Sequence, residues 1–361
     1  MDKQMNFNLD ALIRPNIKSL KPYSSARHEF TGEASVYLDA NENSLGSPLP
    51  KWYNRYPDPL QAQLKEKLSH IKQVPPQQMF LGNGSDECID LLFRSFCRPG
   101  VDNIIICPPT YGMYSVSANI NDTAIRTAPL LDDYQLNLAH IEQLADANTK
   151  IIWLCSPNNP TGNDLHRADI EVVLNNFNGL VVVDEAYINF SRQATFAKQL
   201  ADYPNLVVLQ TLSKAWGLAG LRLGIMMASP EIIAIINTVK APYNIAQPTQ
   251  DLAIKALDNM ADVNQMIHLI VDMRNALAEV FEQMPIVEKV YPSAANFFLV
   301  KMYGAKQVYD YLISRGIVVR DRSNVQFCDN ALRITVGTEQ ENTQLVDAMA
   351  DYMDLLAAQN N

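Results

Sequence analysis

The residues best suited to chemistry in this sequence are a lysine and a carboxylate. Lys214 stands in ThrLeuSerLysAlaTrpGly at 211–217, directly after one apolar run, with Arg222 eight residues further on and directly before another. A lysine held against apolar neighbours is disfavoured as an ammonium ion, so its pKa falls and its amine becomes a nucleophile. Asp184 closes the run LeuValValValAsp at 180–184 and is followed by GluAlaTyr, which places Tyr187 beside it. A carboxylate buried there is costly unless a cation meets it, and either a protonated pyridine nitrogen or an arginine could be that cation.

Three further turns offer groups that suit an anion or a flat ring. GlyAsnGlySerAspGlu at 82–87 puts the amides of Ser85 and Asp86 at a helix start, where unpaired N–H groups and the helix dipole attract phosphate. Taken alone, the hexapeptide reads equally well as a tight turn capped by Ser85 or Asp86, and Glu87 occupies what would be the third glycine of a dinucleotide fingerprint. CysProProThrTyrGly at 107–112 supplies Tyr111, whose ring could stack on a heterocycle or simply pack in a loop. SerProAsnAsnProThrGly at 156–162 exposes the Asn159 amide, a donor for a phenolate-type oxygen, although such a turn also uses Asn for its own geometry.

Each of these turns follows a short apolar run. The runs at 79–82, 103–107, 151–155, 180–184, 206–210 and 223–228 predict buried, mainly parallel strands. Between them, 86–96 and 168–176 return apolar residues every three or four positions, which predicts amphipathic helices and an α/β sheet covered on both faces. Open sheets of this kind collect ligands at the carboxyl ends of their strands, so the five turns would meet in one pocket. Beyond Pro242 the pattern becomes a long helical stretch at 249–283, then short strand candidates at 296–301, 317–320 and 331–336, which reads as a smaller α+β domain. The expected division is an arm at 1–35 associated with the small domain, a large domain at 36–245 and the small domain at 246–361.

Composition narrows the partners. The chain has 361 residues, 48% of them hydrophobic, and a formal net charge of −10, which argues against nucleic acid and against a membrane surface. An anionic ligand must therefore meet locally concentrated arginines. The five cysteines form no CxxC pair and read as reduced core residues, and the five histidines lack ligand spacing, so no metal site is expected. The start, MDKQMNFNLD, has neither a basic nor an apolar stretch, and no run is long enough to cross a bilayer; a cytoplasmic enzyme is the expectation. The sequence also lacks a GxGxxG turn for a dehydrogenase and an appended basic module for a transcription regulator.

With its motifs in this order, the chain resembles the fold-type-I pyridoxal-phosphate-dependent aminotransferases over nearly its whole length. That resemblance implies a mainly parallel seven-stranded sheet and pyridoxal 5'-phosphate held by Lys214 as a Schiff base. It also implies Asp184 against the ring nitrogen, Tyr111 stacked on the ring, and Asn159 and Tyr187 on its phenolate oxygen. The amides of Ser85 and Asp86, with Ser213, Arg222 and less strongly Thr211, would hold the phosphate. Tyr56 would reach that phosphate from a neighbouring subunit, which implies a homodimer.

Four stretches narrow the likeness to the histidinol-phosphate aminotransferase family: LysProTyr at 21–23, AsnArgTyrProAsp at 54–58, ProProThrTyrGlyMetTyr at 108–114 and LeuArgIleThrValGly at 332–337. By that likeness Tyr23, Arg320 and Arg333 would grip the phosphate of L-histidinol phosphate, with Asn159, Tyr243 and Asn296 lining the substrate side. Arg333 would take the α-carboxylate of glutamate, the product formed from 2-oxoglutarate, in the other half-reaction. A guanidinium fork satisfies either anion. Trp216 departs from the smaller aromatic residue usual after SerLysAla, and 321–330 shows no readable pattern. Enzymes that decarboxylate threonine phosphate or aminate aromatic 2-oxo acids would share the cofactor residues and differ in this pocket.

Overall fold

The computed structural model describes residues 7–21, 23, 35–51 and 53–359. Most of the expected arm, together with Pro22 of LysProTyr, therefore lies outside the described residues.

The fold is α/β. Its large sheet has seven strands among the described residues: β1 (Met79–Asn83), β2 (Asn103–Ile106), β3 (Ala124–Thr127), β4 (Thr149–Cys155), β5 (Leu180–Asp184), β6 (Leu206–Thr211) and β7 (Leu223–Met227), in the spatial order β1-β7-β6-β5-β4-β2-β3. Only β7 runs antiparallel to its neighbours. Every residue of β4, β5, β6 and β7 is buried, as strands must be when helices cover both faces. All six apolar runs form strands. The seventh, β3, has no such run: AlaIleArgThr sits at the sheet edge and is open at both ends, so burial left no mark on its sequence.

The helix Gly84–Phe96 follows β1 without a linker and buries Cys88, Ile89, Leu92, Phe93 and Phe96 on one stripe. Its first turn rests on β7 at Gly224. A Cβ there would lie 2.3 Å from both the Gly84 carbonyl carbon and the Ser85 amide nitrogen, which are backbone atoms that cannot step aside. Gly224→Ala is accordingly expected to destabilise the protein by about 1–3 kcal/mol and to loosen whatever the helix start binds. Thermal melting with and without ligand checks both effects.

The smaller sheet is antiparallel, in the order β10-β11-β9-β8, built from β8 (Val287–Val290), β9 (Phe297–Met302), β10 (Arg320–Asp321) and β11 (Ala331–Thr335). The expected strand at 317–320 shrinks to the pair Arg320–Asp321, and β8, an edge strand with exposed Glu288 and Lys289, was not expected. The helical stretch expected at 249–283 is two helices, Gln247–Ala256 and Met260–Glu282, joined by a 3-10 turn at Leu257–Asn259.

The described start of the arm, 7–21, packs on the large domain. Leu12 is buried in the apolar cluster of the large domain, the Arg14 amide donates to the Ser95 carbonyl at 3.0 Å, and Arg14 Nη1 donates to the Arg94 carbonyl at 2.8 Å. This stretch packs on the end of the helix Gly84–Phe96. Leu12 offers the apolar anchor that fixes it there. Among the described residues, no helix is long and apolar enough to cross a membrane.

Candidate active site

Strands β1, β4, β5 and β6 all end on the same side of the sheet, and β7 begins there. The turns leaving these ends surround a cavity that is open to solvent on one side and lined by polar groups from several strand ends.

At one end stands the start of the helix Gly84–Phe96. Ser85 and Asp86 lie in its first turn, where amides have no partner within the helix. Arg222 adopts a left-handed φ of 52° just before β7, and its Nη2 lies 3.4 Å from Asp86 Oδ2. Gly84 makes room for this guanidinium, since a Cβ at Gly84 would sit 2.5 Å from Nη2. The Ser213 amide donates to Thr211 Oγ1 at 3.1 Å, and the two hydroxyl oxygens are 3.0 Å apart. Amides, hydroxyls and a guanidinium thus converge, as an anion requires.

At the other end Asp184 is only 2% exposed. Its Oδ1 accepts from the Ala186 amide at 3.1 Å and its Oδ2 from the Tyr114 hydroxyl at 2.7 Å. Burial raises its pKa above the ordinary carboxylate value, while these two donors and the nearby Lys214 ammonium oppose the rise. No lysine or arginine forms a salt bridge with it among the described residues, so the arginine pairing allowed by the sequence is not what satisfies this carboxylate.

Lys214 faces the space between the two ends. Its side chain is exposed, but to the cavity it lines. Removal from water lowers its pKa, and the positive fields of Arg333 and Arg222 add to that; Asp184 and Asp86 oppose it. Its Nζ stands 5.7 Å from the centre of the Tyr187 ring and has no hydrogen bond among the described residues. Tyr111 projects from the loop after β2, and its hydroxyl donates to Asp86 Oδ1 at 3.0 Å.

Arg333, from β11 of the small domain, reaches this cavity by donating from Nη1 to Asn159 Oδ1. Its guanidinium lies 5.0 Å from the centre of the Phe297 ring, against which Tyr187 packs edge-on at 5.1 Å. Its Nε is buried with no partner, an orphaned donor that an anion would satisfy.

The structure therefore gathers Ser85, Asp86, Tyr111, Asn159, Asp184 and Tyr187 with Thr211, Ser213, Lys214 and Arg222 around one cavity. It does not bring five other expected residues to the cavity wall. Tyr23 is 74% exposed; Tyr56 is 51% exposed and stacks on Tyr243 with ring centres 4.5 Å apart. Asn296 is half-buried, with its carbonyl accepting from the Val336 amide at 3.0 Å, and Arg320 is exposed opposite Arg333 in the β10–β11 register.

Sequence reasoning missed two residues that bear on the site. Tyr114, three residues beyond Tyr111 and inside the helix Met113–Ile120, carries no local signal of its contact with Asp184. Arg322 follows directly on β10, and no local signal marks it. Its amide donates to the Ala331 carbonyl at 2.9 Å, its Nε is also buried without a partner, and its field joins that of Arg333 in pulling the Tyr187 pKa down against burial.

These groups fit pyridoxal 5'-phosphate at both ends. Orphan amides, hydroxyls and Arg222 suit its phosphate, a buried carboxylate without a cation suits its protonated ring nitrogen, and a weakly basic amine stands between.

The model for the family described as aminotransferase class I and II matches residues 49–349. The histidinol-phosphate aminotransferase of Parabacteroides distasonis is 51% identical over 342 residues, covering 95% of this chain and 98% of that protein. That of Cytophaga hutchinsonii is 50% identical, covering 96% of this chain and all of its own length. Among solved structures, the histidinol-phosphate aminotransferase of Sinorhizobium meliloti in complex with pyridoxal-5'-phosphate superposes with a TM-score of 0.78 at 22% identity, covering 95% of this chain and 97% of that one.

Proposed function

This chain belongs to the class I and II aminotransferase family, and on that premise we propose that it transfers an amino group from L-histidinol phosphate to 2-oxoglutarate on pyridoxal 5'-phosphate, a step of histidine biosynthesis. The observation that carries the reading is the cavity lined by both the Lys214 amine and the buried Asp184 carboxylate, with Arg333 reaching Asn159 from the small domain.

Bound there, the cofactor supplies a carbonyl that amines attack and a ring that draws electrons from the substrate α-carbon. Lys214, with its ammonium form disfavoured, would hold the cofactor through its amine and would serve as the base and acid for the proton at the substrate α-carbon. Asp184 would hold the positive charge on the ring nitrogen. The amides of Ser85 and Asp86, the hydroxyls of Ser213 and Thr211, and Arg222 would hold the phosphate, while Asn159 and Tyr187 would donate to the ring oxygen and Tyr111 would cover the ring face. Arg333 would receive the substrate anion, and Tyr23, Tyr243, Asn296 and Arg320 are the further substrate-side residues that the family likeness implies.

Tyr56 serves the site of a second copy. Its half-exposed ring lies near a segment where Leu38 and Leu45 are 83% and 90% exposed, apolar surface suited to cover by a homodimer partner. We further assign residues 36–245 and 246–361 to the large and small domains, and the cytoplasm as the place of work for this acidic enzyme with buried, free thiols.

The test is a comparison of single half-reactions on cofactor-loaded protein, read as the change in cofactor absorbance. Histidinol phosphate and glutamate should react, with threonine phosphate and aromatic amino acids slower by at least about tenfold. Release of carbon dioxide from threonine phosphate, or a preference for aromatic substrates, would overturn the assignment. Arg333→Gln is expected to lower kcat/KM for histidinol phosphate and for glutamate together, each by roughly 10²-fold, because one guanidinium serves both anions.

A further inference from the structure

Asp184 does its work only if it stays charged and aimed, yet its surroundings oppose the charge. It is buried; Asp86 adds a like charge; Cys155, its register partner across β4 and β5, carries a thiol that burial keeps neutral; only Lys214 brings a favourable field. Two donors remain. The Ala186 amide belongs to the same turn and follows Asp184 wherever it goes. The other, the Tyr114 hydroxyl, comes from a separate element, the helix Met113–Ile120.

Tyr114 is fully buried and its ring cannot swing. It stacks on Trp153 with centres 4.8 Å apart and planes at 18°, and Trp153 stacks on Phe93 at 5.6 Å. Tyr111 meets it edge-on at 5.6 Å and 84°. The clamped ring aims the hydroxyl at Asp184 Oδ2, with the Cys155 thiol as its other neighbour. Burial and the Asp184 charge both hold this phenol in its protonated, donating form. From Tyr111 the contacts continue through its hydroxyl to Asp86 and from Asp86 to Arg222. One unbroken chain of contacts therefore runs from the carboxylate end of the cavity to its anion end.

Resting on the cofactor reading above, we propose that Tyr114 is a positioning residue, which keeps Asp184 charged and fixes its separation from the Arg222 end of the cofactor site. It does not line the cavity itself and acts through its contacts with Asp184 and Tyr111.

The experiment titrates apoprotein with pyridoxal 5'-phosphate, followed by quenching of tryptophan fluorescence across pH, for wild type, Tyr114→Phe, Asp184→Asn and the double variant. Tyr114→Phe removes the donor and keeps the ring. Its acid limb of cofactor affinity should move up by about one pH unit, because a carboxylate that loses a hydrogen-bond donor protonates sooner. Affinity on the alkaline side should stay within about twofold, turnover should fall about tenfold, and the double variant should be no worse than Asp184→Asn. Equal losses at every pH, adding to those of Asp184→Asn, would overturn the proposal and leave Tyr114 a packing residue. Should Tyr114→Phe fail to fold, a fluorinated tyrosine at position 114 keeps the shape and strengthens the donor, so the acid limb should move down; no movement would overturn the proposal. Failure of the cofactor reading has a separate signature, since wild type itself would then show no saturable binding.

Discussion

Lys214→Ala is expected to lose at least about four orders of magnitude in turnover while its apoprotein melts no lower than wild type. The first effect follows from removing the amine that both attaches to the cofactor and moves the substrate proton. The second follows from the lowered pKa of Lys214, which lies below its ordinary 10.5 because burial, Arg333 and Arg222 disfavour its charge. Between the folded value and 10.5 the unfolded chain binds the extra proton, so this group favours the fold increasingly as pH rises through that window. Below it the lysine is charged in both states, and the fold bears the cost of a partly desolvated ammonium. Alanine removes that cost at neutral pH. Calorimetry of the apoprotein beside a rate measurement separates the two effects, and a large drop in Tm would mean that the lysine holds the structure together.

Asp184→Asn should lower turnover by roughly 10²–10³-fold and should also stabilise the apoprotein at neutral pH. Asn keeps the shape and can still accept from Tyr114, but it presents no negative charge to a ring nitrogen. The folded pKa of Asp184 is raised above 3.8, so between 3.8 and the folded value the folded state binds more protons than the unfolded one. Stability contributed by this group therefore falls as pH rises through that window, and above it the ionised carboxylate is a standing cost of the empty site. Functional sites commonly retain such a cost. Equal Tm values for wild type and variant across pH 4 to 8 would contradict it.

Much of this arrangement is legible before any coordinates. The buried strands announced themselves as apolar runs because both sheet faces are covered, and the residues just after those runs are the ones that line the cavity. What the sequence hid has physical causes. β3 and β8 are edge strands, half open to water, and carry polar side chains that blur the pattern. Arg322 lies in a stretch whose conformation is set by pairing with β11, a contact no local signal encodes. Tyr114 looks like any core aromatic until its hydroxyl is seen against Asp184, 70 residues away in sequence. Tyr23, Tyr56, Tyr243, Asn296 and Arg320 had only the family likeness behind them, and they are the residues this single chain leaves away from the cavity wall.

The most direct measurement of the central claim is chemical. Cofactor-loaded protein treated with borohydride, digested and mapped by mass spectrometry should carry the pyridoxyl label on the peptide containing Lys214, and on no other lysine in stoichiometric amount. A label on a different lysine, or one spread thinly over many, would contradict the assignment of this cavity as the catalytic centre.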